Sequence, residues 1–305
     1  MIQTALGSLT FSPLALEDRA WMDPPLKASR RNSLEYSFAS NFIWRKVYKL
    51  HIAEFAGYPV VMSDPEKPSF IFPAVDGSVK PVVQALEAFC RARGRPLIFN
   101  TLLEADRARL EEAFPGQFRI TPDRSIYDYL YESERMITLS GKKLSAKRNH
   151  INRFRMDNPG WSYEPITRDN IADAHRMSQE WCLKAGCRDD EELFDESCAV
   201  EQAFRHFFDL QLSGGLLRVQ GRTVAFSIGE PLNDETYIIH IEKAFQDVQG
   251  AYQMINQLFA QANCSGYRYI NREDDAGDEG LRKAKLSYDP VLLLEKSSAE
   301  LISPL

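Results

Sequence analysis

No stretch of this 305-residue chain approaches the roughly 20 apolar residues that a bilayer-spanning helix needs, so the sequence predicts no membrane segment. Met1 to Pro13 has neither a cationic start nor a long apolar run, which argues against a secretory leader. Cysteine is scarce: five residues, at 90, 182, 187, 198 and 264, an odd number in a long chain. That predicts reduced thiols in the cytoplasm rather than a disulfide framework. Cys182, Cys187 and Cys198 lie near His175, but without a paired CxxC they give no metal-ligand spacing, and no metal is expected. Motifs of the forms GxSxG, HExxH, GxxxxGK[ST] and GxGxxG are all missing, which removes the marks of serine hydrolases, zincins, P-loop proteins and dinucleotide folds. Cations are also in deficit, with 37 Lys and Arg against 43 Asp and Glu and a net charge of −6. An acidic chain of this kind meets a polyanion only through a local basic patch.

What is present is an ordinary globular composition, 44% hydrophobic and 26% charged, long enough for two domains. Residues 14–50 read as mostly helical, with aromatic residues from Tyr36 to Tyr48 at helix-like intervals. Strand patterns follow at 50–62, turning at Gly57, and at 69–74. An amphipathic helix from Lys80 closes at Gly94, a strand PLIFNT follows, and a helix from Glu104 stops at Pro115-Gly116. Residues 117–131 read as one or two further strands. Alternating strand and helix argues for an α/β layered domain.

From Gly141 to Met156 there are six Lys or Arg residues and no acidic one. Leu144, Ile151 and Phe154 fall on one helical face, which makes this a basic amphipathic helix, broken at Asn158-Pro159-Gly160. After it come helices over Thr167–Ala185 and Phe194–Ser213, then three strands joined by tight turns: LLRVQ, TVAFSIGEPL and TYIIHIEKA. A helix opens at Gly250-Ala251, a strand YRYIN follows, and VLLLE reads as the last strand, with Ser297 to Leu305 expected to be loose.

Three constellations could carry chemistry. In QDVQGAY, residues 246–252, the bare backbone of Gly250 and Ala251 at a helix N-terminus suits a phosphate, although it also suits a tight turn or close packing. The basic helix offers Lys147, Arg148 and Arg153 to a polyanion; its alternative is a solvated face. In NREDDAGDEGLRKAK, at a strand end, Glu273, Asp274 and Asp275 are candidate bases, and Arg282, Lys283 and Lys285 are candidate anion contacts, or complements to a helix dipole. His240, inside a strand pattern, reads as a satisfied core residue rather than a base.

The order ααβββαβαβ, with a helix opening at QxxxGA, resembles the GNAT acyltransferase fold. Gln246 and Ala251 match the ends of that family's [RQ]xxGx[GA] loop, while Gln249 stands where its central glycine belongs. SGKKLSAKRNHINRF followed by NPGW resembles the linking helix of the C-terminal domain of phosphatidylglycerol lysyltransferases and the KxRxxIx[KR] stretch of Fem-type aminoacyltransferases. NREDDAGDEGLRKAKLSYDP and NFIWRKVYKL are similar to segments of the same group. The resemblance implies an α/β (α+β) fold of two GNAT-like domains in tandem, each a mixed sheet flanked by helices. A supporting domain would span residues 1–137, the basic linking helix 138–160, and the donor-binding domain 161–305.

The implied activity is transfer of an aminoacyl group from aminoacyl-tRNA, or of an acyl group, to an amine or hydroxyl acceptor. Glu273 would be the base, Gln249, Gly250, Ala251 and Tyr252 would hold the donor phosphate, and Lys147, Arg148, Arg153, Lys283 and Lys285 would meet the polyanion. No tightly bound cofactor is implied, because aminoacyl-tRNA or acyl-CoA is consumed as a substrate; the acceptor would be a small molecule or a lipid headgroup. The alternatives are an acyl-CoA-dependent N-acyltransferase and a non-catalytic binder of a phosphorylated ligand.

Overall fold

A computed structural model describes residues 9–303 and 305, so the reading of residues 1–8 as free of a leader lies outside the described residues. In chain order the strands are β1 (Ser12–Pro13), β2 (His51–Phe55), β3 (Tyr58–Ser63), β4 (Ser69–Ile71), β5 (Ile98–Leu103), β6 (Phe118–Pro122), β7 (Asp128–Glu132), β8 (Trp161–Pro165), β9 (Ser213–Val219), β10 (Arg222–Pro231), β11 (Thr236–Ala244), β12 (Tyr269–Asn271), β13 (Leu292–Leu294) and β14 (Lys296–Leu301). The α-helices are α1 (Arg19–Ala28), α2 (Phe38–Trp44), α3 (Lys80–Arg91), α4 (Glu104–Ala113), α5 (Ser133–Thr138), α6 (Ser145–Asp157), α7 (Ile171–Ala185), α8 (Glu191–Arg205), α9 (Ala251–Asn263) and α10 (Glu279–Leu286). Among the described residues no helix is long and apolar enough to cross a membrane.

The architecture is mixed α/β, with two seven-stranded sheets of the same plan, as expected of tandem GNAT-like domains. One unit takes the described residues up to Arg31, Glu35–Tyr127 and the residues from Leu294 onward; the other takes Asn32–Leu34 and Asp128–Leu293. The first sheet has the order β1-β2-β3-β4-β5-β14-β6 and the second β13-β7-β12-β11-β10-β9-β8. In each, an antiparallel meander ends at one parallel pair, β4 with β5 or β11 with β12. A helix crosses between the strands of each pair, α3 in the first unit and α9 in the second, as a parallel connection requires.

The apolar faces explain the packing. In α3, Val82, Val83, Leu86 and Cys90 recur at helical spacing and are buried in the first core with Phe70, Phe72 and Phe99. In the second unit, α9 buries Ala251, Met254, Ile255, Phe259 and Ala260, and α6 buries Ile151 and Phe154 from its apolar stripe.

Two expectations are corrected. Ser297–Leu305 is not a loose tail: from Lys296 to Leu301 the chain is a strand hydrogen-bonded on both sides, to β5 and to β6. Its short polar side chains hid it, since its pairing is mainly a property of the backbone. The thiols are not all reduced, because Cys182 and Cys187 form a disulfide. Gly186 ends α7 in the left-handed conformation, and its N–H and that of Cys187 both bond the Cys182 carbonyl, bringing the two cysteines together. Cys90, Cys198 and Cys264 are free. Strand β8 has no counterpart in the sequence reading.

Lys296 anchors β14 by placing a fully buried ammonium 2.8 and 2.9 Å from the two oxygens of Glu35. Removing one partner of a buried pair leaves the other charge uncompensated. Lys296→Met is therefore expected to cost on the order of 3–5 kcal/mol in urea unfolding, with much of the loss recovered in Lys296→Met/Glu35→Leu.

Candidate active site

In the second sheet the parallel pairing is short. β11 and β12 are in register only from Thr236↔Tyr269 to Ile238↔Asn271, whereas β11 runs on to Ala244. After Asn271 the chain stays with β7: Arg272 N–H bonds Tyr129 O, and Tyr129 N–H bonds Glu273 O. The two strands therefore part at their C-terminal ends, where open α/β sheets place ligands. Across β11 the ladder with β10 slips, from Ile228↔Ile241 to Gly229↔Ile239, which leaves His240 without a partner opposite. Gly229 permits this bulge, because a Cβ there would lie 2.2 Å from the Ile238 carbonyl oxygen.

His240, at the bulge, and Glu242, two residues on, both reach across the parting. His240 Nδ1 lies 2.8 Å from Glu273 Oε1, and its Nε2 lies 3.4 Å from Glu230 Oε1. Arg272 donates to Glu242 at 2.8 Å, and Asn256 of α9 donates to the other Glu242 oxygen at 3.0 Å. The Arg272 guanidinium also lies 4.9 Å from the centre of the Tyr288 ring and 5.7 Å from that of Tyr131. Side-chain exposure is 2% for His240, 6% for Glu230, 9% for Glu242 and 13% for Arg272, but 18% for Glu273, which makes Glu273 the member nearest to solvent.

Burial works against a charge on His240, but Glu230 and Glu273 outweigh it and hold the imidazole up at about 9. At neutral pH it is an imidazolium clamped between two carboxylates, and not a base. Burial likewise opposes the Arg272 charge, and Glu242 more than offsets it.

The loop after Arg272 is fixed from beneath. Burial pushes Lys285 down to about 8, and its ammonium donates to the carbonyls of Arg272, at 2.6 Å, and Asp274. Fully buried Asp275 accepts from Tyr129 Oη at 2.5 Å and from Arg282 at 2.8 and 2.9 Å. Asp278 caps α10.

Of the residues singled out in the sequence, Glu273 stands at the parting and Lys285 supports its loop. Lys147 donates to Ser287 at 2.6 Å and stacks 4.1 Å from the Tyr288 ring; burial and nearby Arg272 lower its pKa. Arg148 is turned inward to the carbonyls of Leu139 and Gly141. Arg153 pairs with Asp157 at 2.6 Å within α6, and Lys283 is exposed on α10. Gln249 is exposed, but Gly250 and Ala251 are buried, and a Cβ on Gly250 would lie 2.5 Å from His150 O and 2.9 Å from Phe154 Cβ of α6. Tyr252 is half-buried, interacting with Trp181 and the Ala244 backbone. Glu230, Glu242, Asn256 and Arg272 went unassigned. The signal for Glu242 and His240 was there, as two polar residues at spacing two in an apolar strand.

Two outcomes follow. His240 is raised from an ordinary 6.5 to about 9, so it binds a proton in the folded state that the unfolded chain has released. Its contribution, on the order of 3 kcal/mol, is complete below pH 6.5 and lost as pH rises toward 9. Lys285, lowered from 10.5 to about 8, has the opposite sign above pH 8, where the folded state loses its proton first. Chemical denaturation is expected to show stability falling from pH 6.5 to 8 and then levelling, with the fall absent in His240→Gln. Gly250→Ala, at φ +83° and against the α6 backbone, is expected to cost about 2–4 kcal/mol in the same measurement.

Residues 27–300 match the family model described as phosphatidylglycerol lysyltransferase, C-terminal. A conserved protein of unknown function from Bacteroides thetaiotaomicron is 39% identical, with a TM-score of 0.92 over 96% of this chain and 99% of that one. A C-terminal domain from Agrobacterium fabrum named for lysylphosphatidylglycerol synthetase (15% identity, TM-score 0.66, 94% of this chain and 92% of that one) shares the fold. So does L-PGS from Bacillus licheniformis (15%, 0.62, 91% and 92%). An uncharacterised protein of Mycoplasmoides gallisepticum is 25% identical over 178 residues, 57% of this chain; the match spans little more than half of that relative, 56% of its length.

Proposed function

The chain belongs to the phosphatidylglycerol lysyltransferase C-terminal family, and from that premise we propose that it transfers an activated aminoacyl group to a hydroxyl or amine acceptor where β11 and β12 part. The observation that carries this reading is the line Glu230–His240–Glu273, whose outermost member is a carboxylate held by a buried imidazolium. The acceptor's O–H or N–H donates to Glu273. As the acceptor oxygen or nitrogen bonds to the acyl carbon, its proton passes to the Glu273 carboxylate. The ester bond of the donor then breaks, and the leaving oxygen takes that proton, which restores Glu273. His240 holds the Glu273 carboxylate in one rotamer, and the positive charge of Arg272 favours negative charge developing on the acyl oxygen.

The donor is aminoacyl-tRNA in preference to acyl-CoA. At the start of α9, Gly250 and Ala251 are buried and Gly250 packs against α6, while Gln246, Asp247 and Gln249 are the exposed residues of the loop before them. Lys142, Arg155 and Lys283 offer exposed charge for tRNA phosphates, with Lys147 and Arg153 beside them. Aminoacyl-tRNA is supplied in the cytoplasm, so a cytoplasmic reaction that consumes its donor without a tightly bound cofactor is part of this proposal. The family's name makes phosphatidylglycerol the first hydroxyl acceptor to try.

The test is transfer of label from bulk [14C]aminoacyl-tRNA to phosphatidylglycerol vesicles, run beside acetyl-CoA with a primary amine. Label is expected in the lipid, and Glu273→Gln is expected to slow transfer about 10²–10⁴-fold while leaving tRNA binding intact. Transfer from acetyl-CoA alone would overturn the donor, and transfer from neither would overturn the reading.

A further inference from the structure

Glu273 is a non-glycine residue in the left-handed region, at φ 57°. This conformation is costly for a side chain with a Cβ, and it persists only where the surroundings impose it. The N–H of Glu273 is bound at 2.6 Å by the Asn271 side-chain oxygen. Asn271 is fully buried, and its side-chain amide donates to Asp128 Oδ2 at 2.9 Å and to the Asn32 carbonyl at 2.7 Å. Asp128 is fully buried too, and accepts from Leu34 N–H at 3.0 Å. The Asn32 side chain in turn accepts at 2.9 Å from Asn233 and from Thr236, at the start of β11. One buried amide thus ties the last residue of β12, the first residue of β7 and the Asn32–Leu34 segment to the backbone of Glu273.

We infer that Asn271 is a positioning residue for Glu273: through its bonds to Asp128 and Asn32 it sets the backbone turn that aims the Glu273 carboxylate at His240. The inference rests on the reading of Glu273 as the group that meets the acceptor. Asn271 touches no substrate in this account. A purely structural asparagine would contribute stability without controlling the Glu273–His240 contact, and this difference can be measured.

The readout is the titration of His240, followed by NMR of protein labelled at histidine, because that imidazole also faces Glu230 and reports directly whether Glu273 is in place. In Asn271→Ala the midpoint is expected to fall by about one unit or more from its wild-type position, as one carboxylate moves away. Asn271→Asp sets two carboxylates against each other and is expected to do the same. The exchange Asn271→Asp/Asp128→Asn restores the donor–acceptor pair with residue 128 and the acceptor for Glu273 N–H, though not the donor to the Asn32 carbonyl, and is expected to return the midpoint part of the way to wild type. In the transfer assay, Asn271→Ala is expected to lower kcat about 10–100-fold with KM changed less than about threefold. A folded Asn271→Ala with the wild-type His240 midpoint would overturn the inference. If that variant does not fold, an exchange variant that folds without recovering the midpoint would overturn it. Absence of transfer by the wild type would count against the proposed reaction alone, because the titration still decides the role of Asn271.

Discussion

The separation of β11 from β12 after three residue pairs is the constraint on which the candidate site depends. A longer parallel ladder would fill the space with backbone hydrogen bonds. Instead two side-chain ion pairs, His240 with Glu273 and Arg272 with Glu242, span the parting. Each is largely out of water, where an isolated charge is costly and a paired one is held firmly. The arrangement is therefore rigid, and its charges are set before any substrate arrives, which is the condition under which fixed dipoles and charges lower a barrier. The bulge at His240 serves the same end, since it frees one residue of β11 from the ladder and turns its side chain to the site.

The chain order of the two halves is not the order of the two units. β7 precedes the basic helix in sequence but lies in the second sheet, where it carries the loop with Glu273, while β14 ends the chain within the first sheet. Asn32–Leu34 also belongs to the second unit and reaches the Asn271 hub. The second unit thus depends for its site on residues far upstream, and the first depends on the last strand for the partner of Glu35. α6 belongs wholly to the second unit, where its apolar stripe, Ile151 and Phe154, packs beside α9.

Much of the fold was legible because it follows from periodicity. The stripe of Leu144, Ile151 and Phe154, the turns at Gly57 and Gly221, and the helix opening after Gly250 all rest on local rules that tertiary contacts did not override. β14 was not legible: KSSAEL has little apolar pattern, and both of its neighbours are distant in sequence. The cystine was missed because C-x₄-C reads as scattered cysteine until a left-handed Gly186 folds the segment back. At the site, Glu273 was accessible to sequence reasoning as an acid after a strand, and Glu242 as a charge inside an apolar strand, whereas Arg272 looks like a surface charge until the topology buries it against Glu242. Gly250 shows the limit most clearly, because a bare backbone at a helix start suits a phosphate and a packed helix equally, and only the placement of His150 and Phe154 shows what lies against it.

An aminoacyl group handled where β11 and β12 part must shield the backbone on both sides of that parting. The most direct measurement is hydrogen–deuterium exchange of the full chain with and without a non-hydrolysable 3′-aminoacylamino-adenosine. Slowed exchange is expected in 238–242 and 271–275, with the first sheet unchanged. Protection confined to the first unit, or to the α7 and α8 face of the second, would contradict it.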